Sequence, residues 1–204
     1  MVPPGLIAVV RAASASECRT IVSGLIMAGV PTIELTMTVP DALRVLAEFS
    51  AAKAIMGCGT VLDPQVCQAC IDAGARFVVS PVTDTEVLNV ARRAGVPYVG
   101  GALTPSEAKA SMRAGVDAVK LFPIGLVGGP KYLRALLEPF PKLRAVVSGG
   151  IDPTDVETYL TAGSHSVCIG GKLIDRLAAL AGDVDSVARH AQEVMMTINK
   201  AREQ

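Results

Sequence analysis

Two residue types that buried strands ordinarily exclude stand inside apolar runs of this chain: Lys120 in DAVKLF and Glu34 in TIELT. A lysine shielded from water loses affinity for its proton and becomes a nucleophile able to form an imine with a ketone. The protonated imine is an electron sink that stabilises a carbanion on the adjacent carbon. A facing carboxylate can carry the protons, directly or through one water. Three further polar residues close apolar runs: Arg11 after LIAVV, Thr60 in GCGT and Ser148 in VVSGG. Glycine pairs stand at Gly149-Gly150 and at Gly170-Gly171, where a backbone without Cβ atoms can approach an anion closely. A structural buried ion pair is the other use to which the lysine and glutamate could be put.

The surrounding chain of 204 residues is 50% hydrophobic, lacks Trp and is 3% aromatic, so its core must be Ala, Val, Leu and Ile. A formal net charge of zero and a pI near 6.7 offer no basic patch for nucleic acid or anionic membrane. Apolar runs such as Gly5 to Val10 are far shorter than a membrane span. With Pro3 and Pro4 at once and no cleavage pattern after them, no signal peptide is read, and the expected compartment is the cytoplasm. The odd, scattered set of five cysteines is no disulfide framework. Cys67 and Cys70 form a C-x-x-C inside the helical pattern PQVCQACIDAG, without the second ligand pair that zinc needs. They read as small core residues.

The elements that must position the chemistry appear in a repeat. Ala-Gly recurs where helices end, with Gly29, Gly74, Gly95, Gly115 and Gly163 spaced by 45, 21, 20 and 48 residues. That is one unit of roughly 20 to 24 residues, with helix-to-strand breaks near Ser50–Lys53 and Pro139–Lys142 in the two long intervals. Eight short apolar strands follow from it: LIAVVR, TIELT, AIMG, RFVVS, PYVGG, DAVKLF, RAVVS and SVCIG. Helix starts carry Pro40-Asp41, Asp63-Pro64, Thr83-Asp84, Thr104-Pro105, Gly129-Pro130 and Asp152-Pro153. The pattern predicts an α/β fold, a parallel (β/α)8 TIM barrel in a single domain over residues 1–204, closed by a helix from Val184 to Ile198. A doubly wound open sheet is the alternative, but no G-x-G-x-x-G follows the first strand.

Alternate residues of a barrel strand point inward, and barrel sites gather at the C-terminal strand ends. With Ile33, Leu35, Val119 and Leu121 outward, Thr32, Glu34, Thr36 and Lys120 turn inward. Strands two and six lie opposite one another with the same parity, so Glu34 and Lys120 would face each other. Arg11, Thr60 and Ser148 would join them at one mouth. The glycine pairs after strands seven and eight sit where barrels commonly hold phosphate, with backbone N–H groups and a helix N-terminus. Together these features describe carbon–carbon cleavage of a phosphorylated keto acid.

The motifs IELTMTVPDA, GCGTVLDPQ, FVVSP, ALTPSEA, VKLFP and SGG, in this order, resemble the class I 2-keto-3-deoxy-6-phosphogluconate (KDPG) aldolases. That family includes bifunctional 4-hydroxy-2-oxoglutarate (KHG) aldolases, and the resemblance runs from LIAVVR to CIGGKLI. It implies that Lys120 carries the imine and Glu34 is the general acid and base. It also implies that Thr60 binds the pyruvyl carboxylate, that Pro81 and Phe122 form apolar walls, and that Gly149, Gly150, Gly170 and Gly171 hold the phosphate. A homotrimer with no metal or organic cofactor is the family expectation, with pyruvate as the small-molecule product. Many members have arginine where this chain has Thr38, and Arg11 is the expected source of the missing positive charge. Ser148, where relatives specific for the galactonate epimer tend to have valine, tilts the substrate toward phosphogluconate.

His165 and His190 are the only histidines and read as structural, His165 at the far mouth and His190 solvated on the last helix. Cys58 should face away from the site if Gly57 and Gly59 point in. Lys131 to Arg134 reads as a solvated helix face. A sugar-phosphate epimerase or a non-catalytic phosphate-binding barrel would share the loops, but neither requires a lone lysine inside strand six.

Overall fold

Runs of two to six apolar residues cannot bury their backbone polar groups alone, and each pairs in parallel with its neighbour in sequence. The computed structural model describes residues 2–202. Its strands are β1 (Gly5–Val10), β2 (Thr32–Thr36), β3 (Ile55–Gly59), β4 (Val78–Val79), β5 (Tyr98–Ala102), β6 (Ala118–Leu121), β7 (Ala145–Val147) and β8 (Ser166–Ile169). They close into a (β/α)8 barrel when β8 pairs back on β1 with Ile7 opposite Cys168.

The helices between the strands are α1 (Ala15–Met27), α2 (Ala42–Phe49), α3 (Pro64–Asp72), α4 (Thr85–Arg93), α5 (Pro105–Ala114), α6 (Gly129–Leu137) and α7 (Val156–Thr161). Asp63 and Asp84 each accept from two first-turn N–H groups, and Thr104 with Glu107 completes a capping box. Asp152 caps only a 3-10 turn, Pro153–Asp155. Asp41 makes no side-chain cap bond and sits at a φ of 54°. The five repeat glycines all stand at positive φ, between 68° and 102°, ending five helices as the spacing implied. The two breaks without glycine close through Ser50 and Glu138 in right-handed conformation.

Inside the barrel lie Val2, Ile7, Val9, Phe77, Val79, Val99, Ala118, Val146 and Cys168. The outward residues of the strands, Ile33, Leu35, Cys58, Val119 and Leu121 among them, pack in a second core against the helices. Two details at the C-terminal end differ from the sequence reading. A short α8 (Arg176–Ala181) precedes the closing helix, ended by Gly182 at a φ of 75°. The closing helix itself, α9 (Val184–Arg202), runs beyond Ile198 and lies against α1.

Candidate active site

Strands β2 and β6 carry the two inward charges. Lys120 Nζ donates to Glu34 Oε1 at 3.2 Å, with side-chain exposures of 5% and 0%. The register leaves each charge little other company. Glu34 lies between Val9 and Gly57 on the adjoining strands, and Lys120 between Gly101 and Val146. The second oxygen of Glu34, Oε2, is buried without a hydrogen-bond partner among the described residues. The carboxylate thus balances the lysine with one oxygen and has the other available for proton transfer.

Room for this pair comes from inward glycines of β3 and β5. A Cβ on Gly59 would fall on the Glu34 carboxylate, and one on Gly57 would fall on the Phe77 ring. Both glycines therefore face inward, and Cys58 between them faces the outer core. A Cβ on Gly101, opposite Lys120, would run into the Pro81 carbonyl, which puts Pro81 against β5, the strand beside the lysine. The signal in the sequence was glycine at inward positions of IMGCG and YVGGA. Thr60 follows Gly59 half-buried at a φ of 58°, a left-handed conformation costly for a β-branched residue. The Phe122 ring centre is 5.9 Å from Lys120 Nζ. Pro81 and Phe122 share a cavity of about 460 Å³ between β4, β5 and α5.

A second cavity of about 300 Å³ brings together Arg11, Phe122, Ser148, Gly149, Gly150, Gly170 and Gly171. Lys120, Glu34, Thr60 and Pro81 do not line it. Lys120 and Glu34 are buried in the barrel interior, with Val9 and Cys168 between that interior and the cavity. The Gly149, Gly150 and Gly170 N–H groups donate to no protein acceptor among the described residues, a set of free donors suited to an anion. Backbone bonds from Ile124 to Ser148 at 3.0 Å and from Gly125 to Gly149 at 2.9 Å lock the loop after β7 to the loop after β6. Gly149 stands at a φ of 88°, and a Cβ there would lie 2.9 Å from the Phe122 ring, so only glycine fits. Where a helix N-terminus was expected stand 3-10 turns, Pro153–Asp155 and Gly171–Leu173.

Arg11 is exposed and makes no ion pair among the described residues. The Thr36 hydroxyl donates to the Val10 carbonyl at 3.0 Å, fixing the backbone just before Arg11, and lies 3.0 Å from the Thr38 hydroxyl. The Cys168 thiol, whose place at the cavity the sequence did not signal, is pushed up to about 12, mainly by burial and then by Glu34. Cys67 and Cys70 are fully buried, as core residues. His165 Nε2 lies 3.0 Å from the Val2 carbonyl at the opposite mouth. His190 is half-buried rather than solvated, with Nε2 3.2 Å from the Lys172 carbonyl. Lys131 and Arg134 are exposed. No group of three or more His, Cys, Asp or Glu that could hold a metal occurs among the described residues.

Residues 3–190 match the family model for aldolases described as KDPG and KHG aldolase. The KHG/KDPG aldolase of Escherichia coli strain K12 is 36% identical over 175 residues, 84% of this chain and 81% of that protein. The 2-dehydro-3-deoxy-phosphogluconate aldolase of Dickeya dadantii strain 3937 is 34% identical over the same shares. A solved structure described as native KDPGal superposes with a TM-score of 0.85 at 27% identity, covering 98% of this chain and 96% of that one.

Proposed function

The chain belongs to the KDPG and KHG aldolase family, and from that premise we propose that it is a class I aldolase. In this reading it reversibly cleaves 2-dehydro-3-deoxy-6-phosphogluconate to pyruvate and glyceraldehyde 3-phosphate. The observation that carries the reading is the lysine buried in a barrel strand and paired there with a glutamate. A structural pair alone would not need free glycine amides and an exposed arginine around a cavity one layer of side chains away.

Lys120 Nζ attacks C2 of the keto acid and water leaves, giving an iminium. Removal of the C4 hydroxyl proton then sends the C3–C4 electrons toward the iminium nitrogen, and the aldehyde departs. The resulting enamine takes a proton at C3, and hydrolysis frees pyruvate and Lys120. Glu34 is the group placed to move these protons, directly or through water. Thr60 would hold the pyruvyl carboxylate, and Pro81 and Phe122 the apolar sides of the pyruvyl unit. Ser148, Gly149, Gly150, Gly170 and Gly171, with Arg11, would hold the phosphate end. The likeness to the KDPGal structure supports the phosphogalactonate-derived acid as the competing substrate, and 4-hydroxy-2-oxoglutarate is the further one. The competing acids are to be compared by kcat/KM, the ratio by which an enzyme discriminates its substrates.

The same reading includes a homotrimer in the cytoplasm. Val82 at 52% and Leu126 at 79% exposure support burial against further copies. Sedimentation velocity would read the trimer, and a monomer would remove it from the proposal. The aldolase itself is tested by incubation with pyruvate and borohydride, followed by peptide mapping. A reduced pyruvyl adduct on Lys120, absent from Lys120→Ala, is the expected result. A folded protein with no adduct would make Lys120 only the structural partner of Glu34.

A further inference from the structure

Beside the free amides, two cationic residues, Arg11 and Lys172, border the phosphate-side cavity. Lys172 follows Gly171, and its ammonium forms an ion pair with Asp152, which follows Gly150 and Ile151. The pair therefore straps together the two glycine loops of the cavity. Both of its ends are anchored. The Lys172 carbonyl accepts from His190 Nε2 at 3.2 Å, and the turn carrying it closes through Leu173 N–H to Gly170 O at 3.0 Å. Asp152 accepts from the Thr154 N–H at 3.1 Å and the Thr154 hydroxyl at 2.9 Å. The Lys172 ammonium, with those two Thr154 groups, holds the Asp152 carboxyl down at about 2, so it stays a carboxylate across the neutral range.

Stability does not account for such a pair, because the lysine side chain is 61% exposed and pairs of that kind contribute little to folding. Its position does. An ammonium has three donors, so Lys172 can keep Asp152 and still donate to an anion resting on the glycine amides. We propose that Lys172 is a phosphate-binding residue of this cavity and that Asp152 is the positioning residue that keeps its ammonium at the mouth. Charge then adds to backbone geometry in selecting phosphorylated over unphosphorylated keto acids. The inference rests on the aldolase reading above for its substrate, but not for the phosphate probe.

The experiment uses the full chain, inorganic phosphate as competitor and the pyruvate adduct as a separate check of the lysine site. Lys172→Gln should raise the phosphate inhibition constant, and the KM for the phosphorylated keto acid, by about tenfold, with a smaller change in kcat. Lys172→Arg should recover most of that loss. Asp152→Asn, which can still cap Thr154, should raise both constants by a smaller factor. A Lys172→Gln protein with unchanged phosphate inhibition and KM would overturn the proposal and leave the aldolase reading intact. A wild-type protein that forms the pyruvyl adduct but is not inhibited by phosphate would overturn the Lys172 proposal together with the phosphate assignment. Failure to form the adduct, with phosphate binding still dependent on Lys172, would overturn the aldolase reading and uphold this one.

Discussion

The Glu34 carboxylate occupies the space where a Cβ on Gly59 would be. Thr36, two residues beyond Glu34, is the register partner of Gly59, so the glutamate leans toward the C-terminal mouth across its neighbouring strand. The position of the acid is thus set by a residue that carries no side chain.

Gly59→Ala is expected to move the carboxylate away from Lys120 and lower kcat by about 100-fold, the lower end of what a positioned acid or base supplies. Steady-state kinetics with the phosphorylated keto acid would measure it. A near-normal kcat in the alanine variant would mean that Glu34 finds its place without the gap.

Removing one member of the buried pair should destabilise the barrel, whatever it does to catalysis. Lys120→Ala leaves the Glu34 charge uncompensated in an apolar layer and should cost about 3 kcal/mol or more in urea unfolding. Lys120→Met combined with Glu34→Gln should recover much of that stability and remain inactive. Equal stability of Lys120→Ala and the wild type would contradict the desolvated pair.

Arg11 follows a carbonyl held by the Thr36 hydroxyl and borders the phosphate-side cavity. If it supplies the charge that Thr38 does not, Arg11→Ala should raise KM by at least tenfold, the scale of one charged hydrogen bond. An unchanged KM would sink that role.

The cysteines make a prediction about reactivity. Burial is the leading reason why the Cys18 and Cys168 thiols are pushed up to about 12 and Cys67 to about 11. Cys58 is raised first by its hydrogen bond with Cys70 and then by burial. Since the thiolate is the reactive form, the native protein should resist a thiol reagent at pH 8. All five cysteines should react once guanidinium unfolds it. Rapid native labelling of Cys168, which borders the cavity of the glycine pairs, would show that this side opens further than this structure does.

The short periods of the chain decided much by themselves. Glycine after five of the helices and alternation within TIELT and DAVKLF are local facts, fixed by backbone sterics and strand parity. They were enough to give eight strands, the inward face of Lys120 and Glu34, and the loops that carry the glycine pairs. Closure was a non-local matter. Residues 86 apart in sequence meet at 3.2 Å only because β8 returns to β1 and fixes the diameter across which β2 and β6 face. The same closure set the gap at Gly59, put Cys168 beside the cavity and strapped Lys172 to Asp152, for space and charge between distant strands have no signature in a local period. The short α8 was missed for a local reason, as its six residues are too few to show a helical period. Sequence determined which residues could do the chemistry; the tertiary structure decided which of them share a space.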